Sequence, residues 1–145
     1  MSRKANALRL FKERFNCSQA VFCAYRQEHE LDEPTALKLA TAFGAGVAGT
    51  GRSLCGAVTG GLMAISMKHG REDLASVDAK VKTYQLGAQF MAEFEAKHGS
   101  CKCEDILGLN IGTPEGHAQA NQQKLFETKC LEVVESAADI LEELL

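Results

Sequence analysis

Six cysteines stand out in a chain of 145 residues: Cys17, Cys23, Cys55, Cys101, Cys103 and Cys130. Sulfur at this density staples a small fold, ligates a soft metal or exchanges electrons through disulfides. A chain this long buries a core without staples, so metal binding or redox exchange is the expectation. Cys55 is the pivotal residue. It follows a stretch with glycines at 44, 46, 49 and 51 and opens an apolar run that ends near Met67. Glycine is costly to order, so such a loop belongs where the backbone takes positive φ or lies close against something. Ser53 is a suitable N-cap for the helix that follows, which puts Cys55 in its first turn. Unpaired N–H groups and the helix dipole favour a thiolate there. Asn16 with Gln19 three positions on reads as a capping box, so Cys17 also falls in a first turn. Cys103 and Cys130 lie beside two more expected helix starts. Four sulfurs, those of Cys17, Cys55, Cys103 and Cys130, are therefore expected to converge at one end of a helical bundle. Cys23 reads as a core residue behind the second helix. Cys101 and Cys103 form a CxC pair, able to close a strained disulfide or to present two sulfurs to a soft metal.

Other chemistry finds less support. Gly44-Ala45-Gly46-Val47-Ala48-Gly49 matches GxGxxG, but a dinucleotide fingerprint must follow a strand and open a βαβ unit, and here a helix precedes it. The loop's N–H groups at a helix start suit an anion, which makes Gly49, Gly51 and Gly56 candidate cofactor-binding positions; a tight connection between packed helices is the plainer reading. The absence of CxxC argues against a thioredoxin-like motif and a zinc ribbon, and without CxxCH no covalent haem is expected. His29, His69, His98 and His117 fall near helix ends or in polar segments and read as caps and surface residues. No Ser–His–Asp or paired-carboxylate arrangement can be argued.

The elements that must position the cysteines follow from apolar spacing. A first helix covers about 3–14, with Ala7, Leu8, Phe11 and Phe15 on one face. A second starts at Asn16 and buries Ala20, Val21, Ala24 and Tyr25. Asp32-Glu33-Pro34 starts a third, with Ala36, Leu37, Leu39, Ala40 and Phe43 inward. The helix over 53–69 is apolar nearly all round and therefore central, and Gly56 and Gly60 admit a neighbouring backbone. A long helix over 73–98 turns Leu74, Val77, Val81, Tyr84, Leu86, Ala88, Phe90, Met91 and Phe94 inward and stops at Gly99. Residues 104–108 read as a short turn, Thr113-Pro114-Glu115 as another start, and 124–144 as the last helix. No strand alternation persists. The expectation is all-α: a single domain over 1–145, a bundle of about five to seven helices with the glycine-rich loop before the central one.

Net charge is −3, with 46% apolar and 24% charged residues, so electrostatics argue for neither nucleic acid nor an anionic membrane. The opening MSRKANALRLFKERF lacks the apolar core of a secretory signal, and no apolar run approaches the ~20 residues that cross a bilayer. A cytosolic protein is expected.

With these residues in place, the chain resembles the family of small redox proteins named for a C…CGAxxG…C…C pattern. Cys55-Gly56-Ala57-Val58-Thr59-Gly60 is the central motif. Asn16-Cys17-Ser18-Gln19-Ala20-Val21 matches the first cysteine segment, Cys103-Glu104-Asp105-Ile106-Leu107-Gly108 the third, and Lys129-Cys130 with Val133-Val134 and Leu141-Glu142-Glu143 the fourth. The resemblance covers nearly the whole chain. It implies that Cys17, Cys55, Cys103 and Cys130 are the functional set and leaves Cys23 and Cys101 outside it. Two readings follow. In the first the protein is a thiol–disulfide oxidoreductase: Cys55 is the low-pKa nucleophile, Cys17 or Cys103 the resolving thiol, and the glycine loop the access route for a partner protein or small thiol. In the second the same four thiolates hold an iron–sulfur cluster or zinc. A helical binding module with inert cysteines is the non-catalytic alternative. Gly56, Gly60 and the tail Leu141–Leu145 would also allow a homodimer.

Overall fold

The helix that follows the glycine loop is the axis of the molecule. A computed structural model describes residues Met1–Leu145 as α1 (Arg3–Lys12), α2 (Cys17–Tyr25), α3 (Glu33–Ala40) with a one-turn 3-10 helix (Thr41–Phe43), α4 (Gly56–His69), α5 (Val77–His98), α6 (Cys103–Leu107), α7 (Pro114–Gln122) and α8 (Lys129–Leu144). The architecture is all-α, as expected. The eight helices exceed the expected five to seven because α6, whose five residues are too few to show a period, forms where a turn was read.

α4 is buried from Gly56 to Gly61 without interruption. Its closest neighbour is α2. A Cβ on Gly56 would lie 2.8 Å from the Ser18 nitrogen, and one on Gly60 2.7 Å from the Ser18 carbonyl oxygen, distances no real Cβ adopts. The two glycines thus bring the α2 and α4 backbones together within the chain. On the other side Gly61 receives the Phe90 ring of α5. Phe90, Phe94, Val133, Val134, Ala137 and Leu141 complete the core between α5 and α8. Tyr25 of α2 donates its hydroxyl hydrogen to Glu142 Oε1 at 2.7 Å, tying the chain's early and late helices together.

Four expectations need correction. Ser53 does not cap α4: residues 53–55 are held extended by a single antiparallel bridge, Leu54 to Lys102, so Cys55 itself is the N-cap. α5 starts at Val77 rather than 73, because the Asp73 carboxylate takes the Ser76 N–H at 2.9 Å in a local turn. Leu74, Val77, Val81 and Tyr84 are exposed, as are Leu39 and Phe43 and Ala88; nothing in the chain packs over those faces. α8 begins at Lys129, not 124, after Lys124 turns to a φ of 58°. No helix is long and apolar enough to cross a membrane.

Candidate functional site

Each of the four motif cysteines occupies the start of a helix. Cys17 is the first residue of α2, Cys55 the N-cap of α4, Cys103 the first residue of α6 and Cys130 the second of α8. The local reasons differ. At α2 the Asn16 side chain accepts the Gln19 N–H at 2.9 Å while Gln19 returns its amide oxygen to the Asn16 N–H at 3.0 Å, which is the expected capping box. At α4 no polar side chain caps the helix. The bridge places Cys55 instead: its N–H donates to the Cys101 carbonyl at 2.8 Å, and the Cys103 N–H donates to the Ser53 carbonyl at 2.9 Å. The same two bonds aim Cys103 into α6. Thr113 accepts the Gly116 N–H to open α7, as the cap-plus-proline pattern predicts.

The sulfurs meet. Cys17 hydrogen-bonds with both Cys130 and Cys55, and these contacts, with burial, hold its thiol well above the ordinary value. Cys55 goes the other way. The hydrogen bond from Cys17 lowers its pKa most; burial opposes; the Ala57 and Val58 N–H groups, which face the sulfur without closing a full cap bond, add to the lowering. Of the pair, Cys55 is therefore the thiol that ionises first. Cys103 senses the charges of Cys55 and Cys130, but burial comes first and pushes its thiol up to about 12. Cys17 is half-buried and is the most open member; Cys55, Cys103 and Cys130 are buried. Cys101, outside the expected set, directs its thiol to the Met91 carbonyl at 3.5 Å. Cys23 lies in the core beside Arg26, whose guanidinium donates to the Cys23 and Leu31 carbonyls.

The glycine loop is wound backwards. Ala45, Gly46, Val47, Ala48 and Gly49 all have φ between 53° and 72°, and Gly51 follows at 69°, a left-handed turn that L-residues avoid. Of the candidate cofactor positions, Gly49 is open, with nothing within 4 Å of a built Cβ. Gly51 packs on Asn110 and Gly112, and Gly56 on Cys17 and Ser18. No group of three or more His, Cys, Asp or Glu side chains has a geometry that would hold a metal ion. His98 lies against the Phe94 ring at 4.7 Å with both ring nitrogens unpartnered, and burial lowers its pKa.

The Leu54–Lys102 bridge is the site feature that the sequence concealed. One residue per strand leaves no alternation to read, and only the CxC spacing hinted that Cys101 and Cys103 share a face. No curated protein and no solved structure matches the chain. A family model described as "Putative redox-active protein (C_GCAxxG_C_C)" matches residues 15–144, a span that holds all four motif cysteines. The label writes the central motif with glycine before cysteine; here Cys55 precedes Gly56, the order that makes the cysteine an N-cap and sets the glycine against α2. The chain belongs to this C_GCAxxG_C_C family.

Proposed function

We propose that the protein is a thiol–disulfide oxidoreductase in which Cys55 is the attacking thiolate and Cys17 the resolving thiol. The observation that carries this reading is the packing of two cysteine-bearing helix starts: Cys55 is the N-cap of α4, which no side chain caps, and Gly56 beside it lies directly against Cys17 and the Ser18 nitrogen. The thiolate is the reactive species, and a lowered pKa keeps it populated near neutral pH. Its charge is held by the Cys17 S–H and by N–H groups of α4, so it needs no nearby lysine or arginine. Cys55 attacks one sulfur of a partner disulfide, a new S–S bond forms and the partner's other sulfur leaves as a thiolate. Cys17 then gives up its proton and attacks Cys55 Sγ, forming the Cys17–Cys55 disulfide and releasing the second partner thiol. Two electrons pass from the two cysteines to the partner. Cys17, the more open of the pair, lies on the approach.

Cys103 and Cys130 complete the sulfur environment: Cys130 lies on the other side of Cys17, and burial raises the Cys103 thiol, which leaves it a poorer nucleophile than Cys55. The test is to purify the protein anaerobically, measure metal and sulfide, and count free thiols with and without reductant after exposure to oxidised glutathione. A metal-free protein that loses thiols in pairs on oxidation and regains them on reduction is the expected result. Stoichiometric iron and sulfide, or a thiol count indifferent to both reagents, would overturn the reading.

A further inference from the structure

The bridge between Leu54 and Lys102 sets a register that extends one residue to each side. Antiparallel pairing puts Cys55 directly opposite Cys101, joined by the Cys55 N–H to Cys101 carbonyl bond at 2.8 Å. Opposite residues of an antiparallel pair have Cα atoms about 4.5–5.5 Å apart, with Cβ atoms roughly 4.5–5.5 Å apart on the same face. Disulfides form at Cα separations of roughly 4.4–6.8 Å. Cys103, two residues on, lies diagonally from Cys55, roughly 7–8 Å away. Cys101 is therefore the better placed of the CxC pair to reach Cys55, needing only to rotate its sulfur away from the Met91 carbonyl. Cys55 and Cys101 are both part of the hydrophobic core, whereas Cys17 packs against its edge, half-buried.

We propose that Cys101 is a second resolving thiol, which takes the disulfide from the open Cys17–Cys55 position and stores it in the core as Cys55–Cys101. The inference rests on the thiol-exchange reading above. In the step, the Cys101 sulfur attacks Cys55 Sγ, the Cys55–Cys101 bond forms and the Cys17–Cys55 bond breaks. Cys17 leaves as a thiolate and takes up the proton that Cys101 lost. No net oxidation occurs, so no further reagent is needed. The outcome is a protein that is oxidised while its outer thiol is free again.

Trypsin makes the test direct. Cleavage after Arg and Lys puts Cys17 and Cys23 together on peptide 15–26, where fragment ions tell them apart, Cys55 on 53–68, Cys101 on 98–102, Cys103 on 103–124 and Cys130 on 130–145. Native reduced protein is mixed with oxidised glutathione, sampled over time, blocked with N-ethylmaleimide, digested and analysed by mass spectrometry. The expected result is an early 15–26 to 53–68 link that gives way to a 53–68 to 98–102 link carrying most of Cys55. A lasting Cys17–Cys55 link with alkylated Cys101 would overturn this inference and leave the exchange reading intact; no link and no glutathione adduct would overturn both. A second measurement uses Cys17→Ser, with circular dichroism to check the fold. The glutathione adduct on Cys55 should resolve onto Cys101 in this variant and persist when Cys101→Ser is added; resolution onto Cys103 or Cys130 instead would refute the proposal.

Discussion

Two helix starts, those of α2 and α4, each carry a cysteine and lie against one another, yet they treat their sulfurs in opposite ways. α2 has a complete capping box, in which the Gln19 N–H is taken by the Asn16 side chain and the Asn16 N–H by Gln19. α4 has no polar cap, and its Ala57 and Val58 N–H groups turn to the Cys55 sulfur. One thiol is held above the ordinary value and the other below it. A place at a helix start alone does not activate a thiol; Cys17 is held up by Cys130, Cys55 and burial, whereas Cys55 is lowered first by Cys17 and then by the Ala57 and Val58 N–H groups. The glycines reinforce the contrast, because Gly56 lets the two starts approach until the sulfurs share a hydrogen.

The largest way to break the contrast is to remove its acceptor. Cys55→Ser is expected to lower the rate of exchange with oxidised glutathione on the order of 10³-fold or more, since nucleophile loss removes the reaction path itself; stopped-flow thiol release would measure it. Cys17→Ser retains a hydroxyl donor and should slow resolution more than attack. Next in size is the contact between the helices. Gly60→Ala drives a methyl group into the Ser18 carbonyl at 2.7 Å and should cost about 1–3 kcal/mol, seen as a fall in Tm of roughly 2–4 °C per kcal/mol.

A smaller change sharpens the comparison instead. Asn16→Ala removes the α2 cap and should cost about 1 kcal/mol. It also frees the Gln19 N–H, but Cys17, held up by Cys130, Cys55 and burial, should still ionise after Cys55. Asn16 further donates to the Thr41 carbonyl at 3.0 Å and fills the space beside Gly44, so some loosening of the loop accompanies it. The pH profile is the gentlest probe. Cys55 should reach its half-maximal alkylation rate below the ordinary thiol value of 9.0, whereas Cys103, held at about 12, should stay unreactive across the same range. For stability the sign follows from proton binding. Above pH 9.0 the unfolded chain releases a Cys103 proton that the folded protein retains up to about 12, so stability falls as pH rises through that window. Cys103→Ala should flatten part of the decline in Tm.

Much of this contrast was legible in the sequence. The Asn16–Gln19 box, the Pro34 and Pro114 starts and the Gly99 stop follow from local chemistry, and the nearly all-round apolarity of 53–69 marked the central helix. The first turns of α5 were misread because Leu74, Val77, Val81 and Tyr84 keep helical spacing, which reports an apolar face and not whether anything covers it. The start of α4 was misread because Ser53 is a good cap by type, while a non-local bridge to Lys102 decided where the helix begins. The cysteines could be placed at helix starts one by one; that Cys17 touches both Cys55 and Cys130 depends on helix packing, which no spacing encodes.

The backward winding of residues 45–49 reverses the usual rules of mutational tolerance in that loop. Elsewhere, replacing a residue by glycine loosens the unfolded chain and weakens the fold. At Ala45, Val47 and Ala48 each L-residue sits in a conformation disfavoured by roughly 1–2 kcal/mol, more than the roughly 0.5–1 kcal/mol that glycine costs elsewhere. Val47, β-branched at a φ of 67°, is the extreme case. Drift towards glycine at these positions should therefore be neutral or beneficial, and drift away from it at Gly46, with backbone only 2.6 Å from a built Cβ, damaging.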